Sequence, residues 1–166
     1  MKNYFTILLL ALFGFLAVSC TDRNDDVLVD DNDTYPMMRD VTGTFNSGNS
    51  YTINQGINIA TTDVVLVYRN INSASGGSAV WQLLPKTEYL TGGELDYNFL
   101  FDTADIEIYT EANFDQATLS ASEATTYLNN QRFRIVLIPA SQGKNANVNY
   151  EDYESVIKFY NIPDRD

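Results

Sequence analysis

Residues 94–111 read ELDYNFLFDTADIEIYTE. Leu95, Tyr97, Phe99 and Phe101 recur on one face against Glu94, Asp96 and Asn98, with Leu100 the single exception. After Asp102-Thr103-Ala104-Asp105, Ile106 and Ile108 alternate with Glu107, Tyr109 and Glu111. A period of two belongs to a strand with one buried face, and a connection of about four residues joins two such strands as a hairpin. The segment therefore predicts an antiparallel β protein.

The same period extends outward. Phe133, Ile135 and Leu137 point inward from a strand over 132–139, leaving Arg132 and Arg134 as two solvent-facing side chains. Val64 to Tyr68 is continuously apolar and rich in β-branched residues, which suits a strand covered on both faces. Ala79 to Leu84 resumes a strand around Trp81, and Pro85 ends it at an edge or bend. Val41, Gly43 and Phe45 share a face, and Tyr51 to Ile53 and Ile57 to Ile59 alternate around Asn54-Gln55-Gly56. Asn70 to Ser78 reads as a loop from its Asn, Ser and Gly content.

Two segments depart from this pattern. Ser120 to Leu128 carries a short helical turn with Ser120 or Ser122 as cap. Asn149 to Tyr160 is helical: Asn149 can cap it, and Glu151 and Asp152 occupy the first turn, where the helix dipole favours negative charge. Tyr153, Val156, Ile157 and Tyr160 form one stripe. The expected fold is mainly β: one antiparallel sandwich over 39–162, immunoglobulin-like or jelly-roll-like, of about seven to nine strands. The helix is expected to pack across an open end or sheet edge, with 163–166 as a tail.

The N-terminus sets an address. MKNYFTILLLALFGFLAVSC has one lysine, an apolar run from Phe5 to Val18 and small residues before the chain's sole cysteine, Cys20. A run of that length fits a signal-peptide core better than a bilayer-spanning helix. Ala17-Val18-Ser19-Cys20 resembles a lipobox, in which cleavage before the cysteine precedes acylation of its thiol. Ala17 stands where leucine is usual, and an ordinary secretory signal cut after Ser19 is the alternative. Residues 20–38, with Asp22, Asp25, Asp26, Asp30, Asp31 and Asp33, read as an acidic, extended tether.

Composition then removes function classes. The chain of 166 residues contains no histidine and one cysteine, so Ser-His-Asp and Cys-His catalysis and His/Cys zinc sites are excluded. A net charge of −12 without a basic cluster speaks against nucleic-acid binding. Gly76-Gly77 and Gly92-Gly93 lack the lysine of a phosphate loop. Glu107 and Glu111 lie on one strand about 13 Å apart, too far for a glycosidase pair. A cross-strand pair involving Glu94 or Asp96 stays open. Asp31-Asn32-Asp33-Thr34 runs into Tyr35-Pro36 without the glycine an EF-hand requires. No motif asks for a cofactor or a metal.

The segments DVVLVYRNI, AVWQLLPKTEYL, GGELDYNF, DIEIYTEANFD and QRFRIVLIPA together resemble a family of small lipoproteins from Flavobacteria and related Bacteroidetes. The resemblance covers roughly Val64 to Ile162. It implies a host and an exported, outer-membrane address, and it carries no activity or functional residues. The acidic stretch after Cys20 resembles the signal that sends such lipoproteins to the cell surface, a periplasm-facing or secreted chain being the alternative. Asp102-Thr103-Ala104 resembles the O-glycosylation motif of exported proteins in that group.

Candidate binding residues are Trp81, Tyr89, Tyr97 and Tyr109, which could form an aromatic platform for sugars; buried strand packing explains the same residues. Trp81 is most simply a core residue. Asn70–Ser78 and Asn145–Asn149 are the loops to inspect. The function expected is a non-enzymatic surface lipoprotein of the outer membrane, an interaction or structural module of the cell envelope held to the membrane through Cys20, with envelope proteins or glycans as partners. The alternative is a carbohydrate-binding accessory of a polysaccharide-uptake system.

Overall fold

The computed structural model describes residues 37–141 and 148–163. Cys20 and most of the acidic tether lie outside the described residues. Among the described residues eight strands are formed: β1 (Met37–Gly43), β2 (Thr52–Gly56), β3 (Val64–Asn70), β4 (Trp81–Leu83), β5 (Lys86–Leu90), β6 (Gly93–Phe101), β7 (Asp105–Ala112) and β8 (Gln131–Ile138). Two short helices are α1 (Ala121–Tyr127) and α2 (Tyr153–Phe159). Met37 and Met38, read as tether from sequence, are the first rungs of β1, opposite Leu137 and Val136.

The strands make two antiparallel four-stranded sheets, ordered β1-β8-β3-β4 and β2-β7-β6-β5. The first strand pairs with the last in one sheet, and the second with the seventh in the other. The first two strands lie in different sheets, whereas an immunoglobulin sheet would place them side by side. The Leu84–Pro85 peptide is cis, and the chain crosses there from β4 in one sheet to β5 in the other.

Register explains the inter-sheet core. Phe99 faces Ile108, and Phe101 faces Ile106, as the hairpin's alternation requires. Val65, Val67, Leu95, Tyr97, Ile106, Ile108, Phe133 and Ile135 are buried together. Phe45 packs edge-on against Tyr97 and Phe133, with ring centroids 6.1 and 5.8 Å away.

A second apolar cluster lies on the other face of β3 and β8. Tyr68, Val136 and Ile138 pack there with Met38 and with Tyr153, Val156, Ile157 and Tyr160 of α2. The stripe read from sequence is thus correct, but the helix covers the outer face of a sheet rather than an end or an edge. It also starts later than expected. The Tyr150 carbonyl accepts from the Tyr68 hydroxyl at 2.8 Å, and the helix begins at Tyr153, after Asp152. Asn149 instead accepts from the Glu151 amide at 3.2 Å. In α1, Ser120 and Glu123 close a capping box.

Covering that face corrects the expectation for the arginines. Arg134 is 0% exposed. Its Nε and Nη2 donate to the two oxygens of Asp40 at 2.7 and 3.0 Å, and Nη1 donates to the Tyr153 hydroxyl. Arg132, about a third exposed, donates to Asp40 at 2.6 Å. On the inner face, Arg69 is buried as well, at 2% exposed. It donates to Gln131 at 3.0 and 2.8 Å, to Glu88 of the opposing sheet at 2.9 Å and to the Thr126 carbonyl at 3.3 Å. Its guanidinium carbon lies 4.2 Å from the centre of the Tyr97 ring.

Removing Arg69 leaves the fully buried Gln131 side-chain oxygen without its donor and Glu88, about a quarter exposed, without its cation. Arg69→Met is expected to cost about 3 kcal/mol, read as a lower urea midpoint at unchanged slope; a cost below that of an ordinary surface substitution would refute the bridging role. For Asp40, partial burial pushes the carboxyl up, but hydrogen bonds and charges from Arg134 and Arg132 outweigh it and hold the group below the usual carboxylate range. A depressed folded-state value stabilises the fold above the unfolded-state value and loses that stabilisation as pH falls through the folded one. The stability gap between wild type and Asp40→Asn should therefore be full above about pH 5 and narrow below about pH 4. Acid titration of both proteins by circular dichroism checks this, and a gap that widens in acid would contradict it.

Candidate functional site

The candidate site is a groove of about 540 Å³ where β4 turns into β5. Ile71, Val80, Trp81 and Leu83 supply apolar walls, and Gln82, Lys86 and Glu151 supply polar ones. Ile71 and Val80 continue the β3–β4 hairpin, the Ile71 amide donating to the Val80 carbonyl at 2.9 Å. They stay 45% and 47% exposed, two aliphatic side chains left in water beside the groove.

The loop between them is largely self-bonded. The Asn70 side chain accepts from the amides of Asn72 and Val80, both at 3.0 Å, and Asn72 donates to the Ser78 carbonyl at 2.7 Å. Ser73 donates to the Asn70 carbonyl at 2.6 Å and accepts from the Arg132 amide at 3.0 Å. Gly76 sits at φ +65°, where a side chain would be strained. The polar residues that marked this loop in the sequence thus build it, and the apolar residues at its two mouths face the groove. Of the second loop singled out, residues 145–147 lie outside the described residues.

The four aromatic candidates do not form one platform. Tyr97 is 0% exposed, between Leu95 and Phe99 on the inward face of β6, and its hydroxyl donates to the Tyr127 carbonyl. Burial pushes its phenol well above the ordinary value. It cannot touch a ligand without unfolding the core. Tyr89, 78% exposed, pairs with Glu94, and Tyr109 pairs with Asn98, both on the outward face of the second sheet. Trp81 belongs to the first sheet. It is half-buried outside the inter-sheet core, with guanidinium carbons of Arg134 and Arg132 at 4.3 and 5.1 Å from its ring centre.

The outward face of the second sheet is acidic. Asp96 stands directly opposite Glu111, the cross-strand carboxylate pair that sequence left open. Thr87 donates its hydroxyl to Asp96 at 2.5 Å. A neighbouring hollow lined by Asn54, Leu100, Phe101, Asp102, Asp105 and Glu107 lies toward the hairpin end of these strands and includes neither acid. There Asp102 accepts from the amides of Ala104 and Asp105 at 2.7 and 2.8 Å, bonds that hold its carboxyl below the usual range and shape the turn. Among the described residues no group of three or more His, Cys, Asp or Glu is placed to hold a metal ion.

Compared with protein-family models, with curated proteins and with solved structures, the chain finds no match in any of the three.

Because Ile71 and Val80 reach into solvent, polar substitutions there remove groove surface without opening the core. Ile71→Asp and Val80→Asp should each change unfolding free energy by no more than about 0.5 kcal/mol. Thermal melts check this; losses of core size would show that the two side chains belong to the packing.

Proposed function

We propose that this chain is a non-enzymatic interaction module of a bacterial cell envelope, held at the outer membrane by acyl chains on Cys20 and displayed at the cell surface. The observation that carries the interaction role is the groove at Trp81, with two aliphatic side chains kept in water at its mouth. Exposed apolar surface rimmed by polar residues is the usual mark of a contact site. The anchor is supported by Ala17-Val18-Ser19-Cys20 and the aspartate-rich stretch behind it. Two or three acyl chains bind firmly where one would not. The resemblance to small Bacteroidetes lipoproteins supports the same address. The lack of histidine in the whole chain supports a role without acid–base chemistry.

A second reading has its own observation. The indole of Trp81 lines the groove beside Gln82, Lys86 and Glu151, an aromatic wall with polar side chains of the kind that holds a sugar. In this reading the partner is a glycan, and the protein serves polysaccharide capture.

Cys20→Ser is expected to abolish acylation, read as loss of the lipid mass on the intact protein, and to move the chain from membrane to soluble fractions. A wild-type protein with an unmodified thiol would overturn the anchor. Titration of the single tryptophan's emission with a glycan panel separates the two readings. A saturable shift that Val80→Asp removes favours sugar; no shift across the panel leaves envelope protein as the partner class.

A further inference from the structure

The outer face of the first sheet carries a continuous line of side chains from one edge to the other. Asp40 stands on edge strand β1, Arg132 and Arg134 on β8, and Trp81 on β4 at the opposite edge. The two oxygens of Asp40 hold both arginines, at 2.6 Å for Arg132 and at 2.7 and 3.0 Å for Arg134. Both guanidiniums lie over Trp81, at 4.3 and 5.1 Å. Tyr153 of α2 joins the set, its hydroxyl accepting from Arg134 and its ring centre 5.7 Å from that of Trp81.

Arg134 has no access to water, so its charge has to be satisfied by the groups around it. If Asp40 withdraws, the guanidinium cannot simply hydrate, and its seat over the indole and against Tyr153 has to readjust. β1 is also thinly packed. Of its seven residues only Met38 is buried, its sulfur accepting from the Tyr153 hydroxyl at 3.9 Å, and beyond the ladder Asp40 and a bond from Arg39 to the Gly56 carbonyl at 2.7 Å also tie the strand.

We propose that the seating of β1 sets the position of Trp81, so that the strand following the tether governs the groove at the far edge of the sheet. Asp40 is the positioning residue, acting through Arg134 and Arg132. The inference rests on the groove being the contact site. By linkage, a partner that fastens Trp81 also fastens β1, and movement of β1 weakens the partner's hold by the same factor.

Trp81 is the only tryptophan in the chain, so its emission reports the groove wall directly. In the purified full chain, without ligand or membrane, Asp40→Asn should red-shift that emission and raise its quenching by acrylamide. Amide exchange should accelerate about tenfold or more in both β1 and Trp81–Leu83. Arg132→Gln, a milder change at a partly exposed side chain, should move Trp81 in the same direction. The double variant should fall short of the sum of the two, and Asp40→Glu should return the signal toward wild type. Faster exchange in β1 with unchanged Trp81 emission and unchanged exchange in Trp81–Leu83 would overturn the coupling, as would strict additivity. If Asp40→Asn does not fold, an unmoved Trp81 in Arg132→Gln overturns it equally. Absence of acylation or of any groove ligand would sink the proposed function while leaving these readouts intact.

Discussion

Two guanidiniums buried on opposite faces of one strand pair constrain everything around them. In the β3–β8 ladder Arg69 lies opposite Phe133 and Tyr68 opposite Arg134, so neighbouring rungs send one charge into the sandwich and one toward the helix. A buried charge is tolerated only where partners are fixed in place. Arg69 therefore demands Glu88 from the other sheet and Gln131 from its own, which ties the two layers together. Arg134 demands Asp40 and Tyr153, which seat the first strand and the last helix. Among the described residues no buried side-chain nitrogen or oxygen lacks a partner.

Much of this architecture can be read from the chain because periodicity reports which face a side chain occupies. The 94–111 hairpin, the doubly covered strand at Val64–Tyr68 and the Tyr153–Tyr160 stripe all follow from spacing. Periodicity does not report what lies over a face. Arg134 and Trp81 do point away from the inter-sheet core, yet α2 and its lead-in cover that side, turning an expected surface arginine into the most enclosed cation of the fold. Tyr97 could have been placed from its company, since Leu95 and Phe99 flank it on the inward set. The groove had a signal as well: Ile71 and Val80 bracket a loop otherwise made of Asn, Ser, Gly and Ala.

The side of the sandwich that bears the groove is also where strand edges are blunted. β4 has only three residues, and Pro85 and Lys86 follow it directly. Short length, proline and lysine are the ordinary means of discouraging indiscriminate strand pairing. What remains open there is side-chain surface, which selects by shape and polarity rather than by backbone hydrogen bonding alone. The second sheet presents a contrasting face, where Asp96 and Glu111 oppose each other at some cost in stability.

The nested strand order has a consequence in time. β1 finds its neighbour only when Gln131–Ile138 is available, and β2 waits for Asp105–Ala112. Contacts so distant along the chain close slowly, because loop entropy is lost before any pairing is gained. A polypeptide emerging amino end first is therefore kept threadable until most of its length has appeared. The topology itself delays collapse, so the two sheets close only once the strands from Asp105 onward are within reach.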